Sequence, residues 1–176
     1  TGPLNAWRKP IREKAREILN LGTGNNTIFK ISELIKKSGN IENGAAIFNK
    51  TCATCHQVKN KGIDFGPSLD EIGSKYGKDA LYTSIIEPSK SINFGYEGEQ
   101  ITTHNGGIYV GIKVNETADE LTLKMAGGQK EIVIKKNIKE RIKLKQSLMT
   151  PYLYQNMTEQ ELADLVEYLA SLKKIE

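Results

Sequence analysis

The chain has 176 residues, its 25 Lys and Arg against 21 Asp and Glu give a formal charge of +4, and 38% of its residues are hydrophobic. This composition describes a mildly basic globular protein and excludes a chain that is disordered throughout. No apolar run approaches the roughly 18 residues that a membrane span needs, so we expect no transmembrane segment. Lys and Arg form no stripe interleaved with aromatic residues, so the charge does not predict binding to nucleic acid.

Two helical segments are predicted at the start of the chain. Pro10 to Leu19 places apolar residues on one face of a helix and charges on the other, with a proline at the first position. A second, shorter helix includes Ile28 and Ile35 and ends at Ser38-Gly39. We therefore interpret residues 1–40 as an N-terminal helical extension, or as the edge of a preceding domain.

The rest of the chain alternates between helical and strand patterns. Pro88 ends a predicted helix, Asn105-Gly106 is a hairpin signal of the type I′ kind, and Thr158 opens a capping box. We read a small antiparallel sheet inserted between helices. The predicted helices are Asn43 to about Lys50, Asp79 to Glu87, and a final one after Thr158; the predicted strands are Ile101 to His104, Ile108 to Val114, Leu121 to Met125, and Glu131 to Lys135.

Both cysteines lie in the segment Cys52-Ala53-Thr54-Cys55-His56, which excludes a disulfide framework and points to local chemistry. This spacing is the attachment signature of haem c, in which two thiols reach the vinyl groups and the adjacent imidazole lies under the iron. A zinc site is the first alternative, but zinc needs further ligands and His104 is the only other histidine. A thiol redox pair is the second, but such a pair follows a strand, whereas this one follows a predicted helix.

Beyond this motif, the sequence resembles a c-type cytochrome. Gly44 and Phe48 before the motif, with Leu165 and Tyr168 near the end, resemble the crossing terminal helices of that family. From about Gly44 to Leu172 the order of motifs is similar to the C-terminal haem-binding cytochrome domain of large bacterial, quinoprotein-like dehydrogenases. Those motifs are Cys-Ala-Thr-Cys-His-Gln, Gly-Pro-Ser-Leu, Ile-Glu-Pro-Ser, a glycine-rich strand insert, Ser-Leu-Met-Thr-Pro, and Leu-Val-Glu-Tyr-Leu.

The resemblance implies a mainly α fold, the cytochrome c fold around one covalent haem c, in residues 41–176 with a β insert at about 97–142. It also implies roles for single residues. Cys52 and Cys55 form the two thioethers, His56 binds the iron, and the Pro67 carbonyl accepts the hydrogen bond of His56 Nδ1–H, although Gly66-Pro67 is also an ordinary turn sequence. Further pocket candidates, of a kind that more often belongs to an ordinary core, are Tyr82, Ile85, Ile86, Tyr96 and Tyr152.

The sixth iron ligand is assigned to Met149, which precedes Thr150-Pro151 where the family usually has Met-Pro. Three other candidates remain open. Met125 fits a strand core, Met157 fits a hydrophobic staple ahead of the last helix, and His104 fits a solvated hairpin. An iron with no sixth protein ligand is a further alternative.

With His56 and Met149 as ligands, the expected function is electron transfer without catalysis. The resemblance implies a dehydrogenase domain as donor, a cytochrome or oxidase as acceptor, and a periplasmic or extracytoplasmic location. A haem enzyme or gas sensor with an open iron, and a zinc-stabilised binding module, are the competing functions. The basic residues near Met149 either surround the haem edge or form a solvated strand face; they are Lys135, Lys136, Lys139, Arg141, Lys143 and Lys145.

Overall fold

A computed structural model describes residues 29–174. The predicted helix from Pro10 to Leu19 lies outside these described residues. Within them, three short turns of helix accompany the regular helices: a π-helical turn at Phe48–Cys52 and two 3₁₀ turns at Lys135–Asn137 and Leu153–Asn156. The α-helices of the described part are α1 (Ile31–Leu34), α2 (Ile41–Ile47), α3 (Ile72–Lys75), α4 (Lys78–Ile86) and α5 (Glu159–Ser171).

A five-stranded antiparallel sheet lies between α4 and α5 in the chain. Its spatial order is β4-β3-β2-β1-β5. Helices account for 34% and strands for 23% of the described residues, so the expectation of a mainly α fold is wrong. The strands are β1 (Gly98–Thr103), β2 (Ile108–Glu116), β3 (Glu120–Met125), β4 (Lys130–Ile134) and β5 (Ile138–Lys143).

The sheet must curl, because its two edge strands are joined by only three residues, Lys135–Asn137. Four strand spacings of a flat sheet separate the edges by about 19 Å. The chain from Ile134 to Ile138 spans at most about 14 Å when fully extended. The curled sheet encloses a core of its own on its inner face, made by Ile101, Leu121, Leu123 and Val133.

A separate core lies among the helices, where α2 crosses α5. A Cβ on Gly44 would stand 2.0 Å from the carbonyl oxygen of Asp164, so only glycine permits this close approach. The rings of Phe48 and Tyr168 pack beside it with centroids 5.6 Å apart. These contacts confirm the predicted crossing of the two helices. Phe29 and Leu34 are buried in the same core, so the described end of the N-terminal extension packs onto it.

Most predicted elements are present with small shifts in their ends. The capping box at the start of α5 is confirmed, since Thr158 accepts from the Glu161 amide and the Glu161 carboxylate accepts from the Thr158 amide. The predicted type I′ turn is wrong, because Gly106 has a positive φ of 87° but Asn105 does not. The fifth strand, β5, was not predicted; it pairs with β1, far away in sequence, and its charged residues show no strand alternation.

The buried Asp164 carboxylate joins α5 to the turn before α2. It accepts hydrogen bonds from the Asn40 amide at 2.8 Å, from Gln160 Nε2 at 2.9 Å and from Asn43 Nδ2 at 3.4 Å. Burial acts to raise the pKa of Asp164, but these donors outweigh it and hold the pKa below its ordinary value of 3.8. The charged form is therefore the one that stabilises the helix crossing.

Asp164→Asn is expected to lower the free energy of unfolding by about 1 kcal/mol at pH 7, because the hydrogen bonds lose their charged acceptor. A carboxylate with a depressed pKa contributes stability above the unfolded-state pKa and loses it as the pH falls through the folded-state value. The difference between the two proteins should therefore begin to fall below about pH 3.8 and vanish once the pH is below the depressed folded-state pKa. Urea unfolding across pH measures it, and a difference that persists unchanged in acid contradicts the assignment.

Candidate haem-binding site

The two cysteines and the histidine lie in the tight turn that ends α2. The helix widens to π geometry at Phe48–Cys52, and the amides of Cys55 and His56 then both donate to the Cys52 carbonyl, at 3.0 and 2.9 Å. Both thiols are free. This turn places the side chains of Cys52, Cys55 and His56 on the wall of one cavity.

The loop after the motif folds back onto it. The amides of Phe65 and Gly66 both donate to the Cys55 carbonyl, at 3.2 and 2.6 Å, and the Leu69 amide donates to the Gln57 carbonyl at 2.9 Å. Gly66 lies flat against the imidazole, since a Cβ there would stand 2.5 Å from His56 Cε1. The loop therefore holds the histidine ring in place by backbone contact.

The His56 ring has a defined tautomer. Its Nδ1 lies 2.8 Å from the carbonyl oxygen of Pro67. Because a carbonyl only accepts, Nδ1 carries the hydrogen and donates it, which leaves the Nε2 lone pair free. Burial lowers the pKa of His56, against the smaller opposite effect of the Pro67 bond, so the imidazole is neutral at pH 7. A neutral imidazole with a free Nε2 is the form that binds a metal.

The Cys52 thiol lies in an apolar environment on the cavity wall. Burial, with Cys55 beside it, raises the pKa of the Cys52 thiol to about 12, so this thiol is protonated at neutral pH. A buried, protonated thiol behaves as a small apolar side chain. The chemistry of these three residues therefore fits haem c: two thiols on an apolar wall and one neutral imidazole.

The cavity is mostly apolar and open at its mouth. Its free space, including solvent at the mouth, is about 1410 Å³. α3, α4 and α5 form much of its wall, and β2 adds Ile112. Its buried apolar lining residues are Phe65, Ile72, Leu81, Ile85, Ile112, Leu165 and Leu169.

Met149 lies on the wall of this same cavity, in the loop between β5 and the last 3₁₀ turn. The loop is tied down by hydrogen bonds, since the Met149 amide donates to Ser147 Oγ at 3.1 Å and the Ser147 amide to Ser89 Oγ at 3.0 Å. Met157 also lines the cavity. Met125 instead packs against the core of the sheet. His104 is exposed in the hairpin between β1 and β2.

The other pocket candidates divide between the cavity and its surroundings. Ile85 and Tyr96 line the cavity. Tyr82 is buried in the helical core, where its hydroxyl donates to the Leu34 carbonyl at 3.2 Å. Ile86 and Tyr152 line a second pocket, which Ser89 and Ser147 also line. That Ile112 lines the cavity was not predicted from the sequence. The alternation of side chains along β2 was the available signal, because it places Ile112 on one face of the strand.

The basic run before Met149 is partly neutralised within the sheet. Arg141 forms ion pairs with Glu99 at 2.7 Å and Glu116 at 2.8 Å, and Lys135 pairs with Glu116 at 2.9 Å. These cations hold the pKa of Glu116 well below its usual range. None of the six basic residues, all of them described, lines the cavity. The prediction that they surround the cavity mouth gains no support from its lining.

No helix within 29–174 has the length and apolar character that crossing a membrane requires. Over the same residues, no group of three or more His, Cys, Asp or Glu side chains is placed to hold a metal ion.

Comparison with known proteins supports one family. Residues 41–119 match the family model described as Cytochrome c, whereas a search of curated proteins found no match to the chain. The matched range begins with α2 and ends between β2 and β3, so it contains Cys52, Cys55, His56 and Pro67 and stops before Met149. Over these residues the chain is similar to a cytochrome c domain, which supports a c-type cytochrome with covalently bound haem c.

Proposed function

We propose that the protein is an electron carrier with a single haem c whose iron is bound by His56 and Met149. One observation supports this most directly. His56, with its tautomer set by Pro67, shares the wall of one apolar cavity with Cys52, Cys55 and Met149. Haem c, when bound, would supply a one-electron iron couple, and a thioether together with an imidazole as ligands would favour a high reduction potential.

The protein's own residues contribute position and environment. The Pro67 carbonyl orients the His56 ring and increases the basicity of its Nε2. The buried side chains of Phe65, Leu165 and Leu169 exclude water from the cavity and lower its dielectric constant. If His56 and Met149 both bind the iron, no position on it would remain for a substrate, and the bound group would transfer electrons without catalysing a reaction.

The proposed partners follow from the order of motifs and from the cavity mouth. By its resemblance to a dehydrogenase-linked cytochrome domain, the protein accepts electrons from a dehydrogenase and passes them to a cytochrome or an oxidase. Tyr76 on the cavity wall is 40% exposed, and Phe94, next to the lining residue Asn93, is 97% exposed. These aromatic side chains offer an apolar contact for a partner at the mouth. We place the protein in the periplasm or elsewhere outside the cytoplasm.

Two features are tested together on the purified protein: covalent attachment of the haem, and an iron with no open coordination position. The haem should stay with the polypeptide in acid acetone, the reduced form should show a c-type α-band, and carbon monoxide should bind slowly or not at all. Rapid carbon monoxide binding with a high-spin ferric spectrum would instead indicate an enzyme or gas sensor with an open iron. Haem that acid acetone extracts contradicts the two thioethers.

Gly66→Ala is expected to displace the His56 ring, because the added Cβ stands 2.5 Å from its Cε1. Such overpacking costs about 1–3 kcal/mol, and here it acts on the iron ligand. We expect a mixed-spin ferric spectrum together with the loss of stability. Gly106→Ala is the matched control, since it strains a positive φ with no neighbour within 4 Å; it should lose stability and keep the wild-type spectrum. Equal spectra in both variants would contradict the role given to Gly66.

Met149→Ala is expected to abolish the far-red sulfur-to-iron charge-transfer band, to make the ferric iron high-spin, and to lower the reduction potential. Met157→Ala is the matched control, because Met157 lines the same cavity. We expect it to keep the band. The opposite pattern, with the band lost only in Met157→Ala, would assign the sixth ligand to Met157.

A further inference from the structure

We propose that the curled sheet is a spacer that positions the Met149 loop relative to the His56 loop, through one transverse row of residues: Lys124, Ile112 and Gly98. The inference rests on the proposed function, in which Met149 is the sixth ligand. It assigns a positioning role to residues of the sheet that do not themselves bind iron.

The row follows from the pairing of three strands. Ile112 on β2 is paired with Lys124 on β3 and with Gly98 on β1. Directly opposed residues of antiparallel strands project from the same face of a sheet. The enclosed core of the sheet lies on the inner face, and the residues of this row alternate with it along their strands, so the row lies on the outer face. It extends over two strand spacings, about 10 Å.

At one end the row contacts the loop that orients His56. The Lys124 side chain is only 9% exposed, and its Nζ donates to Asp64 Oδ1 at 2.8 Å. Asp64 lies just before Phe65 and Gly66, whose amides bind the Cys55 carbonyl. The loop and the sheet are therefore joined by a nearly buried cation.

At its centre the row reaches the cavity itself. Ile112 is 4% exposed and lines the cavity wall. Other apolar side chains of β2 on this face, Ile108 and Val110, are exposed instead, at 64% and 36%. Burial on the outer face is thus concentrated where the row meets the cavity.

At its other end the row receives the Met149 loop. The Leu144 amide donates to the Gly98 carbonyl at 2.8 Å. The Leu148 side chain fills the space above Gly98, since a Cβ there would stand 2.8 Å from Leu148 Cγ. Leu148 and Met149 are neighbours in sequence and both line the cavity. Gly98 therefore seats the residue that precedes the proposed ligand.

The contact of Leu148 with Gly98, which we call the seat, matters because the neutral thioether of Met149 gains little from electrostatic attraction to the iron. Its occupancy at the iron depends on how well the loop is held in the binding conformation before the bond forms. Ser89 holds the loop at Ser147, and Gly98 holds it at Leu148. The distance of the Met149 sulfur from the His56 side of the cavity is then set by the sheet.

Gly98→Ala tests the seat in the haem-loaded, oxidised protein, with imidazole as a competing ligand. The added methyl group overpacks Leu148 and pushes the loop outward. We expect imidazole to displace Met149 with about tenfold higher affinity, equivalent to about 1.4 kcal/mol, measured as loss of the far-red band. Gly107→Ala is the matched control, because its Cβ would meet Thr103 Oγ1 at 2.8 Å in the hairpin between β1 and β2, and not Leu148 or a residue of the row. It should leave the imidazole affinity unchanged.

Leu148→Ala supplies a second test that adds no bulk. It empties the seat and should also raise the affinity for imidazole, and Gly98→Ala added to it should then have no further effect. Equal imidazole affinity in wild type, Gly98→Ala and Leu148→Ala, with the far-red band present in all, overturns the spacer and leaves the proposed function intact. An equal increase in Gly98→Ala and Gly107→Ala also overturns it. A wild-type protein without the band overturns the proposed function itself.

Discussion

The hydrogen bond from His56 Nδ1 to the Pro67 carbonyl is the contact on which the arrangement of the site depends. It requires the loop after the cysteine motif to return to its starting point, and the amides of Phe65 and Gly66 secure that return on the Cys55 carbonyl. It also fixes which nitrogen of the ring is free. The helical core and the sheet both pack around this loop, the core through Val58 and the sheet through the ion pair of Lys124 with Asp64.

The molecule has two separate apolar cores, which are joined by a small number of contacts. The helices bury one apolar cluster around the crossing at Gly44, and the sheet buries another by curling over Ile101 and Leu121. Across the interior of the sheet, Arg141 links Glu99 on β1 to Glu116 on β2. Because the sheet has its own core and its own polar network, its attachment to the cavity can be limited to a few residues of its outer face.

Local signals in the sequence were sufficient for the turn that carries the cysteine motif and for most helices. The spacing of Cys52, Cys55 and His56 is a property of one turn, and the capping box at Thr158 is a property of four residues, so both could be predicted without knowledge of the fold. Contacts between distant segments could not. β5 pairs with β1 across about forty residues, and the seat of Leu148 over Gly98 depends on that pairing.

The error in fold class has the same origin. The expectation of a mainly α fold rests on the helices that carry the cytochrome motifs and treats the strands as an insert. The sheet in fact lines the cavity through Ile112 and holds the Met149 loop. Tyr82 shows the reverse case, since an aromatic residue at a helical spacing that fits a pocket is buried in the core beneath α1.

The central claim, a haem iron held between His56 and Met149, is tested most directly by the far-red and near-infrared spectrum of the oxidised wild-type protein at neutral pH. The proposed ligand pair predicts a low-spin ferric spectrum with a sulfur-to-iron charge-transfer band. A high-spin spectrum, or a low-spin spectrum without that band, would contradict it.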